Sequence, residues 1–412
     1  MNVWLLTDGE PFFFEKGKSC HRVGSLAKEL AKQGHATIWW TSRVDHNSKT
    51  YNSQYKDRHP ISERLNVYFL RSFGYKKNMS ISRILHARSI AKEFLKRSKK
   101  EAIPDIVVAS MPSPELCLAG SIYAKKMGIP FVMDIRDPWP DIFSGYFPKN
   151  LQFLLSPLIY YYRRIIKKIT QDADGIIAVS RSQLDWGVSY SGRQFDERKD
   201  KLLYIGYENN SRSHEVKELQ EFSEENPMKC MYITSWGSSY DAHTLVEAAK
   251  ILQKEVGQKI QIIATGDGES RAIRVENAKD LNNIIFTGFI SSQEMDNHLN
   301  ESHIGLVLMK GGITRFWIGN KIAEYIASSL AIVNNVETEV AEVINDNDIG
   351  TNVVTEDPES VASALISYLN SPDKIRNHMK KSHKLFEEAF DRRQNSKEYI
   401  TYLKGIIARK TH

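Results

Sequence analysis

The sequence predicts an α/β protein made of two doubly wound, Rossmann-like domains in tandem. Three observations predict it. Apolar strand runs alternate with amphipathic helical stretches nearly throughout, as strand, helix, strand units of parallel sheets require. The alternation stops once, at the polar, acid-rich "ENNSRSHEVKELQEFSEENPM" between Glu208 and Met228, and then resumes. At 412 residues the chain also exceeds one ordinary core.

Each element has its own signal. "NVWLLT" is a buried-strand run, and "CHRVGSLAKELAKQGH" follows with Val23, Leu26, Ala27 and Leu30 at helical spacing and Gly34 as the stop. "ATIWWTS" is the next strand. The pattern recurs as "DIVVAS", a helix after Pro114, "IPFVMDI", a helix, "DGIIAVS" and "KLLYIG". These form a first domain over residues 1–208. Residues 209–227 read as linker, since they are polar with little apolar periodicity. The second domain, 228–390, runs "KCMYITS", "KIQIIATGDGE", "NIIFTGFI", "HIGLVLM", "AIVNN" and "GTNVV", with helices between. Residues 391–412 predict a terminal helix placed to pack back on the first domain. Ligands of doubly wound sheets bind beyond the carboxyl ends of the strands, so two facing domains predict a cleft lined by strand-to-helix loops.

Composition narrows the class. With 41% hydrophobic and 26% charged residues the chain reads as soluble and globular. Cys20, Cys117 and Cys230 are far apart and lack metal-ligand spacing, which points to a reducing compartment. "MNVWLLTDGE" has no basic leader, and no apolar run approaches the roughly 18 residues of a membrane span. A cytoplasmic protein is the expectation. The net charge of +6 suits a nucleic acid, an anionic membrane or a phosphorylated substrate equally. No nucleic-acid reader motif accompanies it.

Chemistry concentrates in the second domain. In "GITRFWIGNKIAEYIASSLAIV" a polar loop enters a helix, where unpaired N–H groups and the dipole favour phosphate. Lys321 falls in that helix's first turn, where a cation opposes the dipole; a diphosphate ligand resolves the conflict, and a solvated surface lysine is the alternative. Glu324 lies one helical position further along the same face and is able to accept two vicinal hydroxyls, as a ribose offers. "GDGES", after the strand "QIIAT", supplies Gly266 and Gly268, which let backbone amides approach a ligand but are also ordinary turn chemistry. In the first domain Asp134, Arg136 and Asp137 cluster at the end of a strand, costly unless paired or used, and a structural ion pair accounts for two of the three.

In this order and spacing, "LAKELAKQGH", "MDIRDPWPD", "DADGIIAVS", "ATGDGES", "NIIFTGFISSQEM" and "NKIAEYIASSLAIV" resemble the retaining glycosyltransferases of family four over essentially the whole chain. "D-x-R-D-x-W-P" is similar to a stretch in bacterial enzymes that build O-antigen, capsule or exopolysaccharide. The resemblance implies the GT-B fold, with an acceptor-binding first domain and a nucleotide-sugar-binding second one. It implies that Gly266 and Gly268 border the donor, and that the backbone around Phe289 and Ile290 reads the base, unless Phe289 packs in the core. Glu324 matches the second glutamate of the family's E-x-x-x-x-x-x-x-E motif, which holds the ribose. Phe316 stands in place of the first. Where many relatives carry an arginine and a lysine, this chain has Ser235, Trp236, Gly237, Ser238 and Ser239. Hydroxyls and amides of Ser235 and Gly237 then meet the diphosphate, with Asn320, Lys321 and Arg315 carrying more of it. Asp137 lies near a histidine position of other relatives and is assigned acceptor orientation or proton acceptance, with Arg136 and Arg22 on the acceptor side; for Arg22 an exposed cation is the alternative. Transfer with retention proceeds on one face, the leaving phosphate helping to deprotonate the acceptor, so the resemblance implies no protein nucleophile. No cofactor and no metal are expected, since neither a D-x-D nor an H-x-x-x-H cluster is present.

Charge distribution adds a partner. From Ile142 to Gln171 no acidic residue occurs, and "LQFLLSPLIYYYRRIIKKI" joins apolar and aromatic positions to Arg163, Arg164, Lys167 and Lys168. Such a segment suits the anionic inner face of the cytoplasmic membrane, where a lipid-linked saccharide acceptor is presented. The alternative is a helix that buries its stripe and solvates its charges. "KKNMSISRILHARSIAKEFLKRSKK" is a second cationic stretch, and the long "GEPFFFEKGKSCHRVG" loop predicts a cover over acceptor or donor. Two other readings stay open: a sugar-nucleotide 2-epimerase of the same fold, and a non-catalytic relative serving a polysaccharide assembly complex.

Overall fold

The computed structural model describes residues 1–15, 20–46, 48–77, 80–142, 152–208, 219–312, 316 and 319–411, with backbone alone for 152–155 and 411. The chain divides into two compact units, Met1–Tyr204 with Arg392–His412, and Ile205–Asp391.

In unit 1 the strands are β1 (Asn2–Leu6), β2 (Ala36–Ser42), β3 (Arg58–Ser62), β4 (Leu65–Leu70), β5 (Ile106–Ser110), β6 (Phe131–Ile135), β7 (Gly175–Ala178) and β8 (Asp200–Leu202). The helices are α1 (Arg22–Lys32), α2 (Ile81–Arg97), α3 (Pro114–Met127), α4 (Gln152–Asp172) and α5 (Arg181–Ser191). The sheet order is β3-β4-β2-β1-β5-β6-β7-β8, parallel except for the β3–β4 pair. That hairpin departs from strict alternation. "RHPIS" hides its strand character behind Pro60 and polar residues, which an edge strand tolerates because half its backbone groups need no partner. α3 shows local agreement of sequence and shape: Pro114 begins it, and Gly128, at φ 70°, ends it.

In unit 2 the strands are β9 (Met228–Ile233), β10 (Ile260–Thr265), β11 (Ile284–Gly288), β12 (Ile304–Val307), β13 (Ala331–Asn334) and β14 (Gly350–Asn352). Between and after them lie α6 (Ala242–Val256), α7 (Arg271–Asn277), α8 (Ser292–Glu301), α9 (Asn320–Ala327), α10 (Glu339–Asn347), α11 (Pro358–Leu369) and α12 (Pro372–Leu385). The all-parallel order is β11-β10-β9-β12-β13-β14. Phe222, in the polar connecting stretch, is buried against this unit's core with Met228, Leu245 and Ile262.

The last helix, α13 (Arg392–Thr411), returns to unit 1. Its Tyr399, Ile400, Leu403 and Ile406 are buried with Val3, Leu26, Leu30 and Val132. Burying each such side chain stabilises by about 1.5–3 kcal/mol, enough in sum to hold a helix far away in sequence. In both sheets strand order reverses beside the first strand, at β1/β5 and at β9/β12, the points at whose carboxyl ends open sheets of this kind bind ligands.

Candidate active site

In unit 2 three strand-end loops are sewn together. Thr234 N–H donates to the Thr265 carbonyl at 3.1 Å, and Gly266 N–H to the Gly288 carbonyl at 2.8 Å. Between the first two loops sits Trp236. It is fully buried at φ 49°, and its indole N–H donates to the Gly266 carbonyl at 3.1 Å. The backbones approach so closely that a Cβ on Gly266 would lie 1.7 Å from the Thr234 carbonyl oxygen, and one on Gly268 2.0 Å from that of Ser235. At φ +112° and +156° both positions also disfavour side chains. The "GDG" glycines are thus demanded by packing of the loop on the Ser235–Gly237 turn. Ser235 is exposed and Gly237 half-buried, on the outer side of that turn.

α9 begins beside it. Tyr325 anchors this helix: its hydroxyl donates to the Leu306 carbonyl and accepts from Ile233 N–H at 2.9 Å, tying α9 to β12 and β9. The N-cap Gly319 has no side-chain cap. Asn320 is exposed, and Lys321 and Glu324 are half-buried one turn apart. The Lys321 ammonium donates to the Tyr240 hydroxyl and lies 3.9 Å from that ring's centroid. Burial lowers its pKa to about 8, against the pull of Glu324. Tyr240 is held in turn by an isolated bridge to Met309 after β12, and Lys310 N–H donates to the Ser239 carbonyl at 3.0 Å. The structure therefore brings Ser235, Gly237, Tyr240, Lys321 and Glu324 around the β9/β12 switch point. Sequence reasoning missed Tyr240, which stands 81 positions from Lys321. It also missed Arg271, whose guanidinium would lie 3.5 Å from a Cβ on Gly288. Only their places after β9 and at the start of α7 signalled either. Phe289 is 87% exposed, which removes the core alternative for it, and Ile290 is half-buried. Arg315 and Trp317 lie outside the described residues.

In unit 1 the charges are mostly spoken for. Arg22 is neither an exposed cation nor open toward a phosphate. It is buried, donates from Nε and Nη2 to Asp134 at 3.2–3.3 Å and from Nη1 to the Leu203 and Tyr204 carbonyls, and packs on Tyr399. The start of α1 is filled as well, because the buried Glu10 carboxylate accepts from Val23 and Gly24 N–H and pairs with Arg136. Arg136 also donates to the Met111 carbonyl. Paired this way, Arg22 and Arg136 hold the first domain together. Asp137 is half-buried and has no side-chain hydrogen bond among the described residues. Burial raises its pKa, opposed by Arg136 and Arg83, so it holds a proton more readily than an ordinary aspartate. The "GEPFFFE" loop is no loose cover: Phe12 is buried, and Phe13 stacks on Trp39 at 6.1 Å between centroids. Residues 16–19 lie outside the described residues.

α4 divides its residues between core and surface. Tyr162, Ile165, Ile166 and Ile169 are buried, so the stripe expected to meet lipid packs inside unit 1. Arg163 is ion-paired with Asp141 at 2.6 Å. Leu158, Tyr160, Tyr161, Arg164, Lys167 and Lys168 remain exposed. Among the described residues, no helix is long and apolar enough to cross a membrane.

Two family models match the sequence: Glycosyltransferase Family 4 over residues 21–199 and Glycosyl transferases group 1 over 229–371. One falls in each unit. No curated protein matches. Among solved structures, HepE from Anabaena in complex with UDP superposes with a TM-score of 0.65 at 14% identity, covering 98% of this chain and 100% of that one. A sucrose-phosphate synthase from Thermosynechococcus elongatus gives 0.68 at 14%, covering 99% of each. WaaG, a glycosyltransferase involved in lipopolysaccharide biosynthesis, gives 0.57 at 11%, covering 94% and 95%. The fold is that of the GT-B glycosyltransferases.

Proposed function

We propose that this chain, a family-four glycosyltransferase domain followed by a group-one glycosyltransferase domain, transfers a sugar from a nucleoside diphosphate sugar to a saccharide acceptor with retention at the anomeric carbon. The observation that carries the reading is the first turn of α9, where Lys321 and N–H groups with no side-chain cap among the described residues adjoin Glu324 beside the glycine-built loops. Those donors fit a diphosphate, and the carboxylate fits the ribose hydroxyls. The bond from the anomeric carbon to phosphate oxygen breaks as the bond to the acceptor oxygen forms on the same face, and the acceptor proton passes to the leaving phosphate. Lys321 and the helix terminus stabilise the negative charge that appears there.

The acceptor is a lipid-linked saccharide of bacterial surface polysaccharide synthesis, O-antigen or capsule being the classes that the "DIRDPWP" stretch suggests. HepE was solved with UDP, and WaaG takes part in lipopolysaccharide biosynthesis, which supports both halves of the reading. The exposed aromatic and cationic side of α4 rests on the anionic inner leaflet, from the cytoplasmic side. Asp137 orients the acceptor hydroxyl for that transfer.

Incubation with a panel of sugar nucleotides and bacterial lipid extract tests this. A glycosylated lipid is expected; a free isomerised sugar nucleotide would indicate 2-epimerisation, and neither product a binding subunit. Lys321→Ala and Glu324→Ala should each lower turnover about 100-fold, the scale of losing one preorganised stabiliser. Unchanged turnover in both would remove the site assignment.

A further inference from the structure

The "DIRDPWPD" stretch has a second half that none of these roles uses. Past Asp137 the chain turns on itself: Trp139 N–H donates to the Asp137 carbonyl at 2.9 Å, and Ile142 N–H to that of Pro138 at 3.1 Å. Pro138 and Pro140 are buried, and the Arg83 guanidinium of α2 lies 4.5 Å from the centre of the Trp139 ring. The stretch ends at Asp141, between α4 and α5.

Four donors meet its two oxygens. Oδ2 accepts from the Trp186 indole N–H at 2.8 Å and from the Tyr190 hydroxyl at 2.6 Å, two side chains one turn apart on α5. Oδ1 faces Arg163 of α4, at 2.8 Å from Nε and 2.6 Å from Nη2. Burial foremost, then the bond to Asp141, raises the Tyr190 pKa, so the phenol keeps the proton it donates. A carboxylate offers about four lone-pair sites, and these donors take them. Asp141 therefore has no capacity left for a ligand. Its side chain is only 15% exposed, sheltered enough for charge-assisted bonds to hold a geometry that an exposed pair would not.

The loop is thus fixed at both ends. Arg136, bonded to Glu10 and the Met111 carbonyl, holds the end at β6, and Asp141 holds the other to α4 and α5. Asp137 lies between the two anchors with no side-chain hydrogen bond among the described residues. We propose that Asp141 is a positioning residue for transfer, clamping the loop so that Asp137 meets the acceptor hydroxyl in one geometry. This role rests on the glycosyltransferase reading, in which Asp137 orients the acceptor.

Rates of lipid glycosylation by the full chain, with UDP- and GDP-linked hexoses as donors and bacterial lipid extract varied as acceptor, test the clamp. Asp141→Asn should lower kcat/KM for the lipid about 10- to 100-fold, the scale of a misplacement by about 1 Å, and leave the KM for the sugar nucleotide within about twofold. Tyr190→Phe, which removes one bond, should fall between that variant and the wild type. Because Asp141 acts through Asp137, Asp137→Ala combined with Asp141→Asn should be no slower than Asp137→Ala alone, whereas a residue that served packing only would multiply the two losses. Urea unfolding reports whether each variant folds, and where Asp141→Asn does not, Tyr190→Phe combined with Asp137→Ala decides. Multiplied losses, or wild-type rates in folded variants, overturn the proposal and leave the transferase reading intact. No lipid product from the wild type with any donor removes that reading, and the positioning role with it.

Discussion

Lys321 carries two opposing electrostatic demands. Burial against Tyr240 favours the neutral amine, and a diphosphate favours the ammonium. With a pKa of about 8 instead of the ordinary 10.5, the ammonium is complete below pH 7 and lost as pH rises through 8. UDP affinity measured by calorimetry should therefore fall between pH 7 and 9, and in Lys321→Met it should be weaker and flat over that range. A wild-type affinity constant to pH 9.5 would contradict the burial argument. Gly266 makes the second prediction at this scale. Its alanine variant has nowhere to put a methyl group 1.7 Å from the Thr234 oxygen, so urea unfolding of unit 2 should be easier by on the order of 2–4 kcal/mol. A change below about 0.5 kcal/mol would show that the two loops move apart freely. Lys321 was visible in the sequence because a cation in a helix's first turn is out of place. Tyr240 was not, since no local pattern links a loop after β9 to the start of α9.

Helices show most directly where periodicity informs and where it misleads. The α4 stripe was legible as amphipathic, but the same spacing serves a core or a lipid surface, and only packing assigns Tyr162, Ile165, Ile166 and Ile169 to the core. What remains for a membrane is Leu158, Tyr160 and Tyr161 with three cations. Charge reversal of Arg164, Lys167 and Lys168 to glutamate should abolish co-sedimentation with vesicles containing phosphatidylglycerol, since each basic residue near an anionic surface is worth about 1 kcal/mol. Binding that survives the reversal, or that needs no anionic lipid, would remove α4 as the contact. β3 was missed for a related reason, since a short edge strand containing Pro60 has too little alternation to stand out, and its hairpin partner β4, "LNVYFL", was passed over with it.

At the scale of the molecule, two units with separate cores give binding a local signature. UDP at 100 times its Kd should stabilise the unit that holds it by about 2.7 kcal/mol. Hydrogen exchange should slow around 234–240, 265–270 and 320–324, with α1 and β1 unchanged. Slowing confined to unit 1 would place the nucleotide elsewhere. The sequence by itself determined the two alternating series, the glycines after β10, and the cation and carboxylate of α9, because these depend on neighbours within a few residues. Only the tertiary structure decided that Arg22 is locked to Asp134 across 112 positions, which core residues Tyr399, Ile400, Leu403 and Ile406 of α13 meet, and that Lys321 reaches Tyr240 across 81. Such pairings arise from the side-by-side stacking of strands distant in the chain, which no local periodicity encodes.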